Sequence, residues 1–258
     1  MSASPAIRIF EHQALVYRRV WRGTVFISFV TPTLFLAAMG LGLGSIVDAN
    51  NPGGIGGVTY LAFLAPGLLL ATAMQTAAFE STWPVMAGIV WLRTYEAMLA
   101  TPAAVRDIIL GHLAWVTVRL AMVAAVFIGV MFLFGAVTSP LAVLAIFPAV
   151  LTGLAFAAPI TAFAATQKND SGFNVLFRFG ITPLFIFSGT FFPISQLPEV
   201  IQPLAYLTPL YHGVALARDL ALGTLEPVSA TIHLAVLLGF IVAGYLAAGW
   251  TFRRRLEK

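Results

Sequence analysis

The chain has 258 residues, of which 60% are hydrophobic and only 9% charged, with a formal net charge of +4. A soluble domain normally uses about 25% charged residues, so this composition excludes a water-soluble globular domain, a disordered or collagen-like chain and a nucleic-acid-binding protein. The absence of cysteine excludes disulfides, thiolate metal sites and thiol catalysis. The sequence therefore predicts an integral membrane protein.

The first 22 residues are polar and basic for too long to form a cleavable signal peptide. Within 1–22, apolar side chains recur at spacings of three and four, whereas the basic side chains fall largely on another face. This pattern predicts an amphipathic helix that lies in the membrane interface; a solvated helix docked on a partner protein is the alternative. The apolar positions are Ile7, Phe10, Ala14, Tyr17 and Trp21.

Six later segments are apolar and long enough to cross a bilayer, which needs about 20 residues per helix. Gly135 and Pro140 divide the uncharged stretch from 120 to 167 into two of these helices. The apolar runs are continuous, which disfavours a transmembrane β-barrel. The fold class is therefore all-α, with the whole chain, 1–258, as a single transmembrane domain. The predicted spans are 23–43, 60–79, 113–134, 141–165, 173–192 and 233–250.

Basic residues near the predicted helix ends fall almost entirely on one side of the membrane. The chain has 14 Lys and Arg residues, of which the opposite loops carry only Arg218. Because basic loops are retained in the cytoplasm, both termini are predicted to be cytoplasmic, in a multi-pass protein of the plasma (inner) membrane. The cytoplasmic set is Arg8, Arg18, Arg19, Arg22, Arg93, Arg106, Lys168, Arg253, Arg254, Arg255 and Lys258.

Three connecting segments differ in character. Residues 44–59 are rich in Gly and Asn, which indicates a flexible external loop. Residues 80–112 form the largest cytoplasmic segment, and 193–232 form the largest external one. The external segment contains two apolar pieces that are too short to span the membrane and that Pro203 and Pro209 interrupt. This predicts a re-entrant or interfacial helical hairpin between the fifth and sixth spans.

Two arginines, Arg119 and Arg178, lie within or at the edge of predicted spans, where an ionised side chain is a functional candidate by default. The side chain of Arg119 can reach the interface or pair with Glu80 or Asp107. That of Arg178 can anchor the interface or pair with Asp170. A structural role is favoured for both over direct contact with a substrate.

Most of the 21 phenylalanines are expected to face lipid or to pack between helices. A minority on the first and fifth predicted spans can line a pathway for an amphiphile. These candidates are Phe26, Phe29, Phe185, Phe187 and Phe191.

No residue pattern indicates catalysis, a cofactor or a metal ion in this chain. The only lysines are Lys168, which Asn169 follows, and Lys258, so the phosphate-binding loop of an ATPase is missing. The four histidines are scattered without an HExxH motif, and no carboxylate lies within the six predicted spans. A proton-coupled carrier usually has such a group at mid-membrane depth, and the nearest one, Glu80, sits at a helix end.

The cytoplasmic segment contains a short predicted helix, Arg93 to Leu99, which Thr101 and Pro102 end. An exposed short helix between two spanning helices can receive a push from a soluble partner. A plain solvated connector fits the same spacing.

Four stretches resemble one family. RTYEAMLATPAAVRDIILGHLAW, at 93–115, resembles the cytoplasmic loop of type-2 ABC exporter permeases, most closely the branch of the nodulation-factor and daunorubicin-type exporters. TQKNDSGF, at 166–173, resembles the loop before the family's fifth span. PLFIFSGTFFPISQLPEVIQPLAYLTPLYHGVALARDL, at 183–220, resembles its SG-x-FFP and P-L-Y-H signature. The N-terminal helix resembles the family's interfacial elbow, so the likeness covers essentially the whole chain in order.

The resemblance implies a six-helix permease that forms a dimer, with itself or with a paralogue, and pairs with two copies of a separate ABC ATPase that holds ATP and Mg. ATPase closure would drive alternating access. The permease, in contact with membrane lipid, would form the translocation path for an amphiphilic drug, glycolipid or lipid-linked saccharide. The implied external gate is formed by Ser188, Gly189, Phe192 and Pro193.

The resemblance also implies that 93–102 is a coupling helix that enters a groove of the ATPase. Tyr95, Met98 and Leu99 would be its apolar anchors, and Arg93 and Glu96 its polar contacts. The full set is Arg93, Thr94, Tyr95, Glu96, Met98, Leu99, Thr101 and Pro102.

Two other classes remain as alternatives. A secondary carrier would use an ion gradient without any ATPase. An intramembrane enzyme acting on lipid head groups would need clustered polar ligands at one membrane face, and only His212, Arg218 and Asp219 approach this.

Overall fold

The computed structural model describes residues 4–19 and 21–257, which are mostly helical and contain one isolated bridge, between Ile55 and Val58, and no strand. Predictions that concern residues 1–3, Val20 and Lys258 lie outside the described residues. The helices are α1 Pro5–Tyr17, α2 Trp21–Asn50, α3 Tyr60–Trp91, α4 Thr94–Leu99, α5 Val105–Leu133, α6 Pro140–Thr166, α7 Ser171–Phe187, α8 Gln202–Tyr206, α9 Pro209–Leu222 and α10 Pro227–Leu256.

Five of the described helices are long and apolar enough to cross a membrane, namely α2, α3, α5, α6 and α10. They coincide with five of the six predicted spans. The remaining predicted span, 173–192, coincides with the shorter apolar helix α7, which is about 25 Å long at 1.5 Å per residue. Its predicted end at 192 is wrong, because the helix stops at Phe187 and Gly189 adopts a φ of +80°, a conformation that favours glycine.

The predicted loop at 44–59 is also shorter than expected. α2 continues to Asn50, where the side chains of Ser45 and Asn50 bond back to carbonyls within the helix, Ser45 Oγ to Gly42 O at 2.7 Å and Asn50 Nδ2 to Ile46 O at 2.8 Å. These bonds satisfy the side chains of Ser45 and Asn50 locally, so the two polar residues are accommodated within the helix. The chain turns only afterwards, where three glycines have positive φ: Gly54, Gly56 and Gly57.

α3 forms the interior of the molecule. In its most apolar window 83% of the residues are buried, compared with 18% for α2 and 17% for α10. α6 packs against α3, α5 and α10, and its contact with α10 is close enough that a Cβ on Gly244 would lie 2.5 Å from Pro159. The first and last long helices therefore border the molecule and leave most of their apolar surface uncovered.

The two ends of the helical bundle carry different short helices. α3 begins at Tyr60 beside α9 and ends at Trp91 beside α4, so we call these ends the α9 end and the α4 end. At the α4 end, α1 packs on the first turns of α5, where a Cβ on Gly111 would lie 2.8 Å from Ala6 O and Ile9. At the α9 end, α9 packs against α3, α6 and α10.

The predicted hairpin region forms two short helices, α8 and α9. Pro203 lies in the first turn of α8 and Pro209 in the first turn of α9, so these prolines begin helices, as their fixed φ permits. α9 is inserted so deeply that a Cβ on Gly213 would collide with Thr152 Oγ1 of α6, at 1.9 Å. The residue that touches α6 must therefore be glycine.

Candidate functional site

The short helix α4 is fixed to the bundle by Tyr95. This side chain is only 4% exposed and lies over Gly88, where a Cβ would be 2.6 Å from the Tyr95 ring. Its ring also packs on Phe252 of α10, with ring centroids 6.0 Å apart. Burial raises the pKa of the Tyr95 phenol, because the anion would lose its hydration. The interpretation of Tyr95 as an outward anchor is therefore wrong, since the residue faces its own chain.

The outer surface of α4 includes four residues of the expected set, Arg93, Glu96, Thr101 and Pro102, but not its apolar anchors. Met98 and Leu99 are half-buried and pack against the hydrophobic core, and Thr94 is half-buried as well. Thr101 Oγ donates to Met98 O at 2.6 Å and helps end the helix. The exposed residues of this segment are Arg93, Glu96, Ala97, Ala100, Thr101 and Pro102.

Arg93 joins α3 to α4 in a left-handed conformation, with φ 50° and ψ 29°. It is the only described non-glycine residue with a positive φ, and such a conformation costs of order 1 kcal/mol. The fixed bend aims α4 away from the axis of α3 and places it beside α1.

A cavity of about 580 Å³ separates α4 from α1. One wall includes Arg8 and His12 of α1, and the other includes Ala97, Met98 and Pro102 of the α4 segment. The exposed face of α4 thus borders an open groove on the surface of the α4 end.

Arg119 is the centre of a buried polar network at the α4 end. Its Nε donates to Glu80 Oε1 at 3.0 Å, and the two side chains are 8% and 21% exposed. Its Nη1 donates to the Tyr17 hydroxyl at 2.8 Å, and its guanidinium lies 4.5 Å from the Tyr17 ring centroid. The predicted pairing with Glu80 is confirmed, whereas Asp107 instead accepts from Ala104 N at 2.9 Å and caps α5.

Tyr17 was not predicted as part of this network. Its hydroxyl accepts from Arg119 Nη1 and so joins α1 to the network. Its ring also packs on Trp115, with ring centroids 5.3 Å apart. Both Tyr17 and Arg119 border a second cavity, of about 370 Å³. The network therefore ties α1, α3 and α5 together directly behind α4.

Arg178 behaves differently from Arg119. It lies in the π-helical turn Leu176–Ile181 of α7 and is exposed. The predicted pairing with Asp170 is wrong, because no carboxylate oxygen among the described residues lies within 4.0 Å of Arg178. Asp170 instead precedes the first residue of α7, eight positions away along the chain.

Arg218 organises the α9 end. Its Nε and Nη2 donate to Phe63 O at 3.2 and 3.1 Å, and Nη2 also donates to Gly189 O at 2.9 Å. Its guanidinium lies 3.8 Å from the Phe63 ring centroid. Burial lowers the pKa of Arg218 to about 10. The sequence marked Arg218 as the exception to the charge bias and as part of the polar set of the enzyme alternative, but nothing in it indicated that the guanidinium joins α9 to α3 and to the predicted gate.

The predicted gate residues lie together at this end. Ser188 is fully buried and its hydroxyl donates to Leu184 O, while Phe192 packs on a small apolar cluster of Ile194, Leu197 and Ala205. Pro193 is half-buried. A Cβ on Gly67 of α3 would lie 2.9 Å from both Cα and O of Thr190. The predicted gate segment, 188–193, thus touches the backbone of α3, the innermost helix.

Two histidines join α9 to α10. His212 Nδ1 and His233 Nδ1 are 2.7 Å apart, and Tyr211 packs its ring on both imidazoles, with centroids 5.2 and 5.8 Å away. Burial lowers the pKa of His212, and the neighbouring His233 lowers it further. Asp219, whose own pKa is raised by burial, lies nearby. This hydrogen bond requires one imidazole to donate and the other to accept.

The predicted pathway phenylalanines do not form one cluster. Phe185 and Phe191 pack together with Phe35 of α2, with centroids 5.1 to 6.3 Å apart. Phe26, Phe29 and Phe187 are exposed on the surface. Phe35 was missed because its spacing on α2 does not distinguish it from other apolar residues of that helix.

Among the described residues, no group of three or more His, Cys, Asp or Glu side chains is arranged to hold a metal ion. The α4 end instead presents a short helix with an exposed face, and at the α9 end the predicted gate residues pack against α3 and α9.

Comparison with known proteins identifies the family. Residues 7–222 match the family described as ABC-2 type transporter. The chain belongs to that family. It is 32% identical over 253 residues to Nodulation protein J of Neorhizobium galegae, covering 98% of this chain and 94% of the relative.

Two further relatives agree with this assignment. The chain is 33% identical over 251 residues to Nodulation protein J of Rhizobium leguminosarum bv. trifolii, covering 97% and 93% of the two chains. It is 26% identical over 239 residues to Inner membrane transport permease YadH of Escherichia coli, covering 93% and 90%. The resemblance noted in the sequence is confirmed, and the protein is a membrane transport permease of the ABC-2 type.

Proposed function

We propose that this chain is the membrane-spanning subunit of an ATP-driven exporter in the inner membrane. It carries six spans, with α7 as the fifth, α1 as an interfacial elbow, and α8 and α9 as a re-entrant hairpin. Two separate ATPase subunits bind ATP and Mg, and a second permease copy, identical or paralogous, completes an alternating-access path. The cargo is an amphiphile such as a drug, a glycolipid or a lipid-linked saccharide.

The observation that carries this proposal is the geometry of α4 in a member of the ABC-2 family. α4 lies between two long helices, is fixed from behind by Tyr95 and presents Glu96, Ala97 and Ala100 outward. A push on this face is passed to α3 through Gly88 and to α10 through Phe252. A loop that served only as a solvated connector would not need a buried tyrosine at its centre.

Charge distribution supports cytoplasmic termini. Exposed basic residues of four separate segments lie at the α4 end, including Arg93, Arg106, Lys168 and Arg253. Arg218, the one basic residue assigned to the opposite side, is bonded to backbone carbonyls. It therefore serves packing and does not weaken the bias that retains basic loops in the cytoplasm.

The uncovered face of α2 supports a second permease copy. Phe26 and Phe29 are exposed along this face, and Phe35 of the same helix packs on Phe185 and Phe191 of the segment that leads to the gate. A partner copy on α2 would bring Phe26 and Phe29 of both chains together on the helix whose Phe35 contacts the segment that leads to the gate, in a surface suited to an amphiphile.

The coupling role is tested on the exposed face of α4. The double variant Glu96→Arg and Ala100→Arg is expected to abolish ATPase stimulation when permease and ATPase are reconstituted in liposomes, because two arginines, a charge change of +3 in total, would then face the groove of the ATPase. The matched control, Asp170→Arg and Asn169→Arg, makes the same chemical change on another exposed loop and should retain most of the stimulation. Equal stimulation in both variants would remove α4 from the coupling role.

The same liposomes distinguish the secondary carrier. Transport by the permease alone, driven by a proton or sodium gradient, would replace the ATP-driven exporter with that alternative. ATP-dependent transport that requires the co-reconstituted ATPase supports the exporter.

A further inference from the structure

A groove of about 440 Å³ lies between the first turns of α5 and the last turns of α10, at the α4 end. It is separate from α4 itself and from the gate segment. Its walls combine basic, aromatic and aliphatic side chains, and no acidic residue lines it. The lining residues are Val105, Arg106, Ile109, Tyr245, Leu246, Gly249, Trp250, Arg253 and Arg254.

Three arginines lie at the rim of this groove without a counter-ion. Arg106 of α5 and Arg253 and Arg254 of α10 are all exposed, and within the described part of the chain none of them has a carboxylate oxygen within 4.0 Å. Arg254 lies 5.4 Å from the Trp250 ring centroid. Arg119 and Arg218, by contrast, have partners within the chain, since Arg119 pairs with Glu80 and Arg218 donates to backbone carbonyls.

The side chains follow a definite order along α10. Leu246 comes first, Trp250 lies one turn later, and Arg253 and Arg254 follow, so the sequence passes from aliphatic to aromatic to basic over about 12 Å. Leu246 and Trp250 are 65% and 63% exposed. Because aliphatic, aromatic and cationic side chains match the hydrocarbon, interfacial and phosphate layers of a leaflet in that order, the groove is built to the depth profile of a phospholipid.

Gly249 lies between the aliphatic and basic parts and leaves room for a ligand. A Cβ at this position would meet no atom within 4 Å. Its small size is therefore not required by packing within the chain, unlike that of Gly244 on the same helix, where a Cβ would collide with Pro159. The space above Gly249 is wide enough to receive part of an acyl chain.

We propose that this groove binds an anionic phospholipid of the adjacent leaflet. The phosphate lies between Arg106, Arg253 and Arg254, whose guanidinium groups donate paired hydrogen bonds to phosphate oxygens, and an acyl chain lies over Gly249 against Leu246. Basic pockets between transmembrane helices on the cytoplasmic side recognise lipid head groups by this chemistry. The assignment to the cytoplasmic leaflet rests on the orientation in the proposed function, whereas binding itself depends only on the groove.

The experiment measures lipid binding to the full-length purified chain in mild detergent by native mass spectrometry, titrating phosphatidylglycerol and, separately, zwitterionic phosphatidylethanolamine. Each arginine near a membrane surface contributes about fivefold in affinity for anionic lipid. The triple variant Arg106→Gln, Arg253→Gln and Arg254→Gln is expected to lose on the order of 100-fold in affinity for phosphatidylglycerol. Its affinity for phosphatidylethanolamine should fall much less, because the ammonium group of that lipid already offsets the charge of its phosphate.

Two further variants make the test specific. The charge-matched control Arg19→Gln, Lys168→Gln and Arg178→Gln removes the same charge from exposed positions outside the groove and should retain most of the affinity. Gly249→Leu keeps every charge but fills the space for the acyl chain, and it should weaken phosphatidylglycerol binding several-fold. Because a Cβ at Gly249 meets no atom within 4 Å, Gly249→Ala is the fold control and should unfold at the same temperature as the native chain.

Several outcomes would overturn the proposal. Unchanged affinity in the triple variant, or an equal loss in the charge-matched control, would mean that net charge and not this groove holds the lipid. Complete displacement of the lipid by excess inorganic phosphate would identify a site for free anions. Because no ATPase is present in these titrations, failure here leaves the exporter proposal intact, and failure of coupling leaves lipid binding intact.

Discussion

The buried pair of Arg119 and Glu80 leads to a prediction about stability. At 3.0 Å and an effective dielectric constant of about 20, the gross attraction is about 5 to 6 kcal/mol. Desolvation of both groups offsets most of this gain. Removing one partner leaves the other charge buried and unpaired, which costs about 3 to 5 kcal/mol, whereas replacing both with apolar side chains removes the need for a partner.

The test is a double-mutant cycle of Arg119→Met, Glu80→Met and the combined variant, followed by reversible unfolding in mixed detergent. Each single variant should lose about 3 kcal/mol, and the double variant should lose clearly less than the sum, with a coupling energy of about 2 to 3 kcal/mol. Tyr17→Phe should cost about 1.5 to 3 kcal/mol, because it removes a hydrogen bond to a charged group. Arg178→Met is the matched control on an exposed arginine and should cost less than about 0.5 kcal/mol.

Additivity would refute this reasoning. If the double variant loses the sum of the two single losses to within about 0.5 kcal/mol, the two side chains act independently and the ion pair does not fasten α3 to α5. A large cost for Arg178→Met would indicate that arginine removal is destabilising wherever it occurs.

Two further predictions concern the two ends of the bundle. Burial and His233 both lower the pKa of His212, so the unfolded chain binds the proton more readily than the folded chain. The stability linked to His212 is therefore present above the ordinary histidine pKa and is lost as pH falls below it. Unfolding measured from pH 7.5 to 5 should show this loss in the native chain and less of it in His212→Asn. Gly88→Ala places a Cβ 2.6 Å from the Tyr95 ring; it should lower the free energy of unfolding by about 1 to 3 kcal/mol and reduce ATPase stimulation. The control Gly129→Ala, where a Cβ meets no atom within 4 Å, should change neither quantity. Equal effects of the two variants would show that Tyr95 does not support α4.

Much of the fold could be predicted because the bilayer imposes a length and an apolar composition on each crossing. The centres of the long helices followed from that requirement. Their ends did not, since hydropathy does not record where backbone hydrogen bonding continues. α2 passes through Ser45 to Asn50 on local side-chain bonds, and α7 stops within an apolar run because Gly189 turns the chain.

The candidate site was predicted less completely, because its important contacts join residues far apart in sequence. The pairing of Arg119 with Glu80 followed from charge alone, since an ionised group in the membrane needs a partner. The contribution of Tyr17, 102 positions from Arg119, required the docking of α1. The burial of Tyr95 could not be predicted either, because a helix of 6 residues is too short for its apolar face to be recognised from periodicity.

The distribution of polar contacts bears on the coupling proposed for α4. α3 is held at two points by an arginine of another helix, near its start through Phe63 O to Arg218 and further along through Glu80 to Arg119. Arg218 in turn holds Gly189 O, so α3, α9 and the gate segment share one buried guanidinium. Since close-packed interiors transmit displacement instead of absorbing it, under the proposed coupling a shift of α3 produced at α4 would either move the predicted gate residues or break the bonds of Arg218. α10 belongs to this connected core through Gly244 and Phe252, whereas α2 takes no part in these guanidinium contacts and leaves most of its apolar surface uncovered.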